Sequence, residues 1–392
     1  MDEESKLQDG EETVEVKKMA IKSYKYRIYP NKEQEDLIQK TFGCVRFVYN
    51  HFLEDRIKAY QEEGATRTFF QQNKLLTLLK QEREWLKEPD KNALQNALRD
   101  LNTAYQNFFR RVKCGEAPGF PKFKSKKKDR KSYATANSHG RDIRIDGKKI
   151  HLPKLGYIHA RISRDIPNEC RIISATVSQD PSGKYYVSIV TEREVEDPLV
   201  SLDQNNALGL DYSSPHFYVD SEGNEADMPH FYREAEKKLA KEQRKLAKMT
   251  KGSNNYHKQR IRVARAFERV RNCRMDWQHK ESTRLANKYD FICVEDIDYQ
   301  DMARGLHLAK ATNDNAFGQF RGFLQYKMVE RGKKLITIGK WYPSSKLCRF
   351  CGSINAELTM KDREWDCSCG AHILRDINAA INIRDEGIRL VS

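Results

Sequence analysis

Two apolar runs that each end in a carboxylate constrain this chain more than any other feature. ALGLD, ending at Asp211, and FICVE, ending at Glu295, are apolar enough to read as covered strands. An acid at the end of a covered strand is costly unless it is paired or holds a metal ion. A third acid, Asp376, opens RDINAAINI, where Ala379, Ala380 and Ile383 recur at i+3, i+4 and i+7. That spacing gives a helix a small-residue face able to press against a sheet. In a mixed sheet flanked by helices, two strand ends and one helix start can meet at one edge. Three carboxylates meeting there would suit a divalent cation and phosphodiester chemistry. Each acid also has an ordinary reading: Asp211 as a turn residue, Glu295 as the partner of a neighbouring cation, Asp376 as a helix-start residue favoured by the helix dipole.

The cysteines supply the second constraint. Cys44, Cys114, Cys170, Cys273 and Cys293 are scattered singly, whereas the other four of the nine form Cys348-Arg-Phe-Cys351, a 15-residue spacer, then Cys367-Ser-Cys369. Paired thiols on tight turns suit tetrahedral Zn²⁺, and Gly352 and Gly370 directly follow the pairs, where such turns need positive φ. Four thiolates leave no open ligand position for water, so this zinc would be structural. Reduced structural cysteines are the competing reading. With no export signal, a cluster plus isolated thiols fits a reducing compartment rather than a disulfide framework.

Charge narrows the class of partner. The 392 residues carry 71 Lys and Arg against 56 Asp and Glu, a net charge of +15. An excess of that size points to a polyanion. No apolar run reaches the roughly 18–20 residues needed to span a bilayer. The acidic start MDEESKLQDGEETVEVKK has no apolar segment and reads as a disordered lead-in rather than a signal peptide. The expected protein is cytoplasmic and bound to nucleic acid.

Along the chain, IKSYKYRIYP alternates as a strand stopped by Pro30, and Asn31 is a candidate N-cap for the helix that follows. KEQEDLIQKTFGCVRFVYNHFLEDRIKAY, QNKLLTLLKQEREWL and KNALQNALRDLNTAYQNFFRRV read as three helices of one module. Beyond Gly115 the texture turns to Gly, Pro and Lys and then to short β-like runs, with PSGK as a hairpin turn. DPLVSLDQNN reads as a linker, after which an α/β pattern begins. It contains two long polar helices, roughly 233–251 and 255–289, rich in Lys and Arg.

The ordered set GLDYSS, VEDI, C-x-x-C…C-x-C-G and RDINAAINI resembles the transposon-encoded TnpB family, relatives of the miniature type V CRISPR effectors. The segments YRIYPNKEQEDLIQKTFGCVRFVYNHFL, PGFPKFKSKK and WYPSSKLCRFCG extend the resemblance over nearly everything from Ile21 to Ile383. It implies a multidomain α+β protein. A disordered lead-in would occupy 1–19, and a β-barrel wedge domain 20–30 and 116–200, with a helical recognition module at 31–115 inserted in it. A RuvC-like nuclease domain with an RNase H-type core would occupy 201–340 and 372–392, with a zinc ribbon at 341–371. It further implies an RNA-guided endonuclease that cuts double-stranded DNA beside a short target-adjacent motif. Asp211, Glu295 and Asp376 would then hold two Mg²⁺ ions, and Cys348, Cys351, Cys367 and Cys369 the zinc. Guide RNA and target DNA would be the partners, in a prokaryotic host. Relatives often read His-Asp-Arg-Asp before the Asn-Ala-Ala run. Here His372-Ile373-Leu374-Arg375-Asp376 keeps only part of that, so activity could be weaker.

Candidate nucleic-acid contacts are more diffuse. Lys122 and Lys124 lie in a basic run with Phe120 and Phe123, a combination that suits phosphate contact with flanking stacking. Lys91, Asn92, Gln95 and Asn96 recur one helical turn apart, and Asn or Gln can pair with adenine, although amides bridging crossed elements would look the same. Tyr133 and Thr135 are further candidates. On the polar helices, Lys237, Lys238, Arg244, Arg260, Arg262, Arg265, Arg269 and Arg271 suit a guide or heteroduplex backbone. Asp203, Asp220, Asp296, Asp298 and Asp301 read as solvated loop acids, and His372 as a surface histidine or a phosphate contact. A guided DNA-binding repressor without cleavage and a transposase accessory protein are the rival readings. The first would be expected to lose a carboxylate.

Overall fold

The computed structural model describes residues 18–138, 140–195, 203–213, 215–297, 314–359 and 361–391. The lead-in, most of the linker, Ser214, Asp298 and Asp301 therefore lie outside the described residues. The chain forms two compact units, Met19–Glu194 and a second from Val195 onward.

In the first unit, β1 (Lys18–Tyr29) is followed by α1 (Lys32–Glu63), α2 (Phe69–Glu82), a 3₁₀ turn (Glu84–Lys87) and α3 (Lys91–Lys113). Asn31 caps α1 through a reciprocal box with Gln34, as its position before a charged first turn suggests. Gly64 ends the helix in the left-handed conformation. Six more strands follow: β2 (Lys131–Ala136), β3 (Arg144–Asp146), β4 (Lys149–Leu152), β5 (Gly156–Arg161), β6 (Arg171–Gln179) and β7 (Tyr185–Val195). They join β1 in one seven-stranded sheet, ordered β2-β6-β7-β1-β5-β4-β3. The sequence suggested a barrel; among the described residues no pairing of β2 with β3 closes it, and both remain edges. The β6–β7 hairpin forms across PSGK. Ile38, Phe42 and Ala93 bring α1 and α3 into the sheet's core with Tyr26, Ile158 and Val187. The other face of α1 packs with α2 and α3 through Phe52, Leu76, Leu94 and Leu98.

The second unit has a five-stranded mixed sheet in the order β10-β9-β8-β11-β12. Its strands are β8 (Ala207–Ser213), β9 (Phe217–Asp220), β10 (Glu225–Ala226), β11 (Phe291–Glu295) and β12 (Lys334–Ile338). β8, β11 and β12 are parallel, while β9 returns antiparallel to β8. α4 (Phe231–Ala247) and α5 (Asn254–Lys288) form the polar hairpin. With α6 (Phe317–Glu330), α5 covers one face of the sheet through Leu285, Phe320 and Leu324. Lys327 is buried between these helices, with its ammonium on His279 O, Ser282 Oγ and Thr283 Oγ1 at 2.7–2.8 Å. A small hairpin of β13 (Glu364–Asp366) and β14 (His372–Leu374) carries the second cysteine pair, and α7 (Arg375–Arg389) closes the chain.

α7 lies directly on the strands. A Cβ built on Gly209 would fall 1.9 Å from Ala380 O, and one on Gly387 would fall 2.3 Å from Cys293 Sγ. Only glycine permits an approach that close. The predicted Ala379, Ala380 and Ile383 face is buried here. Asp220, read from sequence as a solvated loop acid, is 2% exposed. Its carboxylate accepts from the backbone N–H groups of Glu222 and Asn224 and so builds the β9–β10 turn.

Candidate functional site

Parallel pairing of β8 with β11 runs to Leu210–Val294. One step further along, Asp211 and Glu295 stand side by side at the carboxyl ends of adjacent parallel strands, the usual place for ligands in such sheets. Asp376 begins α7, whose Ala380 touches Gly209, two residues before Asp211. All three acids line a single cavity of about 810 Å³. The convergence expected from the sequence is present.

Their electrostatics are unbalanced. Burial raises Asp211 well above the usual carboxylate range, the charges of Asp376 and Glu295 raise it further, and Arg375 opposes them. Glu295 is pushed up to about 7, also by burial. Neither carboxylate has a hydrogen bond or ion pair among the described residues. Asp376 differs: Arg375 holds its Oδ1 at 2.7 Å and Arg363 its Oδ2 at 3.1 Å. Two crowded acids without a cation are a donor set that a hard divalent ion would complete. Sequence reading missed both arginines, although Arg375 adjoins Asp376. It also missed His230, Arg233 and Lys346 on the cavity wall.

The four clustered cysteines bring their sulfurs within 4.8 Å of one another. Cys348 and Cys369 Sγ are 3.9 Å apart, and Cys351 and Cys367 Sγ 3.5 Å, separations compatible with four thiolates around one tetrahedral ion. Ser353 Oγ lies 3.0 Å from Cys351 Sγ and 3.2 Å from Cys367 Sγ. The Cys369 backbone N–H and this hydroxyl pull the Cys367 thiol down to about 6, which favours the ligating thiolate. Gly352 and Gly370 have φ of 76° and 87°, as the turn reading required. Ile373, one of the two apolar residues before Arg375, is 2% exposed and packs on Cys348 and Cys367. Leu374 is half exposed, and His372 is held by Asp366 at 2.7 Å. The segment leading into the first cysteine pair is tied to the helix of Asp376. Asn378 and Asn382 donate to Leu347 O at 2.7 Å, and Asn382 also donates to Ser344 O at 2.8 Å.

The candidate nucleic-acid contacts divide. Thr135 is 1% exposed and its hydroxyl donates to Asp90, so it is used inside the first unit. Tyr133 is buried against Phe42 but borders a second cleft of about 390 Å³, which Lys124 and Asn96 also line. Asn92 donates to Ser138 Oγ at 3.2 Å and Asn96 to Ala134 O at 2.9 Å, the bridging that the competing reading described. Lys91 and Lys122 are exposed and Gln95 is half-buried. Lys124 sits 3.9 Å over the Tyr49 ring, and burial lowers its ammonium below the usual lysine range. On α4 and α5 the cations named above are exposed except for Arg271, which is half-buried.

Three family models match this chain: a helix-turn-helix domain over residues 19–65, a "Probable transposase" over 188–305, and a Cas12f1-like TNB domain over 317–383. A "Putative RNA-guided DNA endonuclease" of Streptomyces pristinaespiralis is 36% identical over 94% of this chain and 89% of its own length. The "Putative RNA-guided DNA endonuclease InsQ" of Escherichia coli strain K12 is 28% identical over 94% and 92%. A Cas12f1 chain solved with sgRNA and target DNA shares the fold at 13% identity, with a TM-score of 0.58 over 93% of this chain and 99% of that one. The chain belongs to the TnpB family. Among the described residues no helix is long and apolar enough to cross a membrane.

Proposed function

We propose that this protein is an RNA-guided DNA endonuclease in which Asp211, Glu295 and Asp376 bind Mg²⁺ and carry phosphodiester hydrolysis. The observation that carries this reading is their convergence on one cavity, where two of the three have no hydrogen bond or ion pair among the described residues and burial holds both above the usual carboxylate range. Divalent metal bound there supplies an activated water and a positive charge for the leaving 3′-oxygen. The protein's part is placement. The β8–β11 register fixes Asp211 beside Glu295, and the Gly209–Ala380 contact sets the start of α7, and with it Asp376, against them. Arg375 holds one oxygen of Asp376 and leaves the direction of the carboxylate fixed. The low polarity that raises Asp211 and Glu295 in the absence of a cation strengthens their hold on one.

In this reading, zinc on Cys348, Cys351, Cys367 and Cys369 holds the ribbon, and the RNase H-type core is the mixed sheet with α7 against it. The net charge of +15 and the cationic faces of α4 and α5 serve guide and target strands. Base pairing with the guide selects the sequence, and the first unit reads a short flanking motif through Lys91, Gln95 and the cleft beside Tyr133. A guided repressor would not need three acids converging on a cavity.

The test is to purify the protein with its RNA, sequence that RNA, and incubate the complex with matched duplex and Mg²⁺. Cleavage that disappears in Asp211→Ala supports the reading. A complex that binds the duplex and leaves it intact, with Asp211→Ala behaving identically, overturns it.

A further inference from the structure

We propose that Arg233, His230 and Ser213 form a phosphate-binding subsite on the wall of the carboxylate cavity, taking a phosphodiester of the DNA strand next to the one cleaved. This rests on the endonuclease reading above and gives that site a defined contact with its substrate.

The cations of the cavity wall are mostly committed. Arg363 and Arg375 are both bound to Asp376. Lys346 donates to Ala356 O at 2.9 Å. Arg233, in the first turn of α4, is exposed and has no ion pair among the described residues. Among the described residues it is therefore the lining cation available to a ligand.

Two further groups on the same wall lack partners among the described residues. Ser213 is 5% exposed, and its Oγ has no hydrogen bond among the described residues. His230 Nδ1 is likewise buried and unpaired among the described residues, and His230 occupies the N-cap of α4 without capping it. Buried polar atoms in folded proteins are nearly always satisfied, so unmatched ones bordering a cavity mark where a ligand completes the set. Each of the three side chains can donate, and α4, 17 residues long, presents its N-terminus beside them. Donors, a cation and a helix N-terminus select an anion with several acceptor oxygens, and they repel a metal ion. The opposite chemistry of the three carboxylates lines the same cavity. A polynucleotide strand would thus be gripped through one phosphate while a neighbouring one meets the acids.

The experiment uses the guided complex and a matched single-stranded DNA in which single linkages around the cut are replaced by uncharged methylphosphonate. Single-turnover cleavage is measured against DNA concentration for the wild type, Arg233→Ala, Arg233→Lys and His230→Gln. With unmodified DNA, Arg233→Ala should raise the half-saturating concentration about tenfold, change the saturated rate by less than about threefold, and be partly rescued in Arg233→Lys. In the wild type, one neutral linkage should cause a similar loss, and Arg233→Ala should be insensitive to that linkage, because the paired changes remove one interaction. Equal sensitivity of wild type and Arg233→Ala at every linkage would overturn the subsite. The same scan read as equilibrium binding in the Asp211→Ala background reports on the subsite even if the wild type cuts nothing. Absence of cleavage would sink the nuclease reading alone.

Discussion

Replacing Gly209 by Ala tests whether the contact between β8 and α7 sets the geometry of the site. The added methyl would lie 1.9 Å from Ala380 O, 2.8 Å from Arg384 N and 2.9 Å from Arg384 Cβ. The first two atoms are backbone, so no rotamer change relieves them. Restoring an ordinary contact requires α7 to retreat by about 1.5 Å. Such overpacking costs about 1–3 kcal/mol, and a backbone clash belongs at the upper end. Ala is the better strand residue by under about 1 kcal/mol, which offsets little of this. For a unit of this size the net loss should lower the melting temperature by about 4–10 °C. Ala380 lies one turn beyond Asp376, so the retreat also moves that carboxylate away from Asp211. A misplacement on the order of 1 Å at reacting groups can lower the rate by about 10²-fold. Calorimetry and single-turnover cleavage, run well below the melting temperature, separate the two effects. Gly43→Ala in α1, where a Cβ meets nothing within 4 Å, is the control and should leave stability unchanged or raised. A Gly209→Ala protein that melts within about 1 °C of wild type and cuts within about twofold of its rate would refute the argument.

Other consequences are open to simpler measurements. Glu295 is held near 7 in the folded protein against 4.5 unfolded, so the folded state keeps a proton that the unfolded chain releases. The advantage of the metal-free wild type over Glu295→Gln should therefore be largest below about pH 4.5 and shrink as pH rises through 7; urea melts showing it constant or growing would contradict the buried-acid account. Asn31→Ala removes the capping box of α1 and should cost about 1 kcal/mol in the first unit, with the second unit's transition unmoved. Elemental analysis should find zinc in the wild type and little in Cys348→Ser. Chelating it should loosen the β13–β14 hairpin by hydrogen exchange, and exchange unaltered by chelation would argue against a metal-built ribbon.

Much of the site could be read in the sequence because its signals are local. Strands covered on both faces make ALGLD and FICVE conspicuous, and an acid at the end of each is hard to attribute to the core. The small face of α7 predicted its approach to a sheet, and Gly209 and Gly387 on the facing surfaces are what make the approach possible. The ribbon was readable because its two cysteine pairs are each a turn in themselves. What escaped depends on contacts far apart in sequence. Nothing near Asp376 indicates that Arg363, across the hairpin, reaches its carboxylate. Asp220 looked solvated because a turn acid that bonds its own loop cannot be told from one that bonds water. Thr135 resembled a surface contact because strand alternation does not reveal which face is covered by the start of α3, which Asp90 precedes. Open sheet and closed barrel likewise share the same strand pattern, and the difference lies in whether the two edge strands pair.

The three carboxylates are not held alike, and this bears on how the site tolerates change. Asp211 and Glu295 are fixed by one stretch of parallel pairing, so moving one relative to the other requires breaking β8 from β11. Asp376 depends on where α7 comes to rest, and two independent restraints set that. The sheet restrains it through Gly209 and Gly387, while the loop leading into the ribbon restrains it through Asn378 and Asn382. The second restraint explains how a cysteine hairpin can interrupt the chain between β12 and α7 without loosening the third acid. The outgoing segment at Ser344–Leu347 is fastened to the helix that the returning segment begins, so both ends of the insertion close on α7. A ribbon that unfolds therefore releases one of the two restraints, and Asp376 is the carboxylate that would move. The apolar Ile373 fits this arrangement. Its side chain packs against Cys348 and Cys367 in the strand that leads directly into α7, so the cysteine cluster and the start of the helix share one small core.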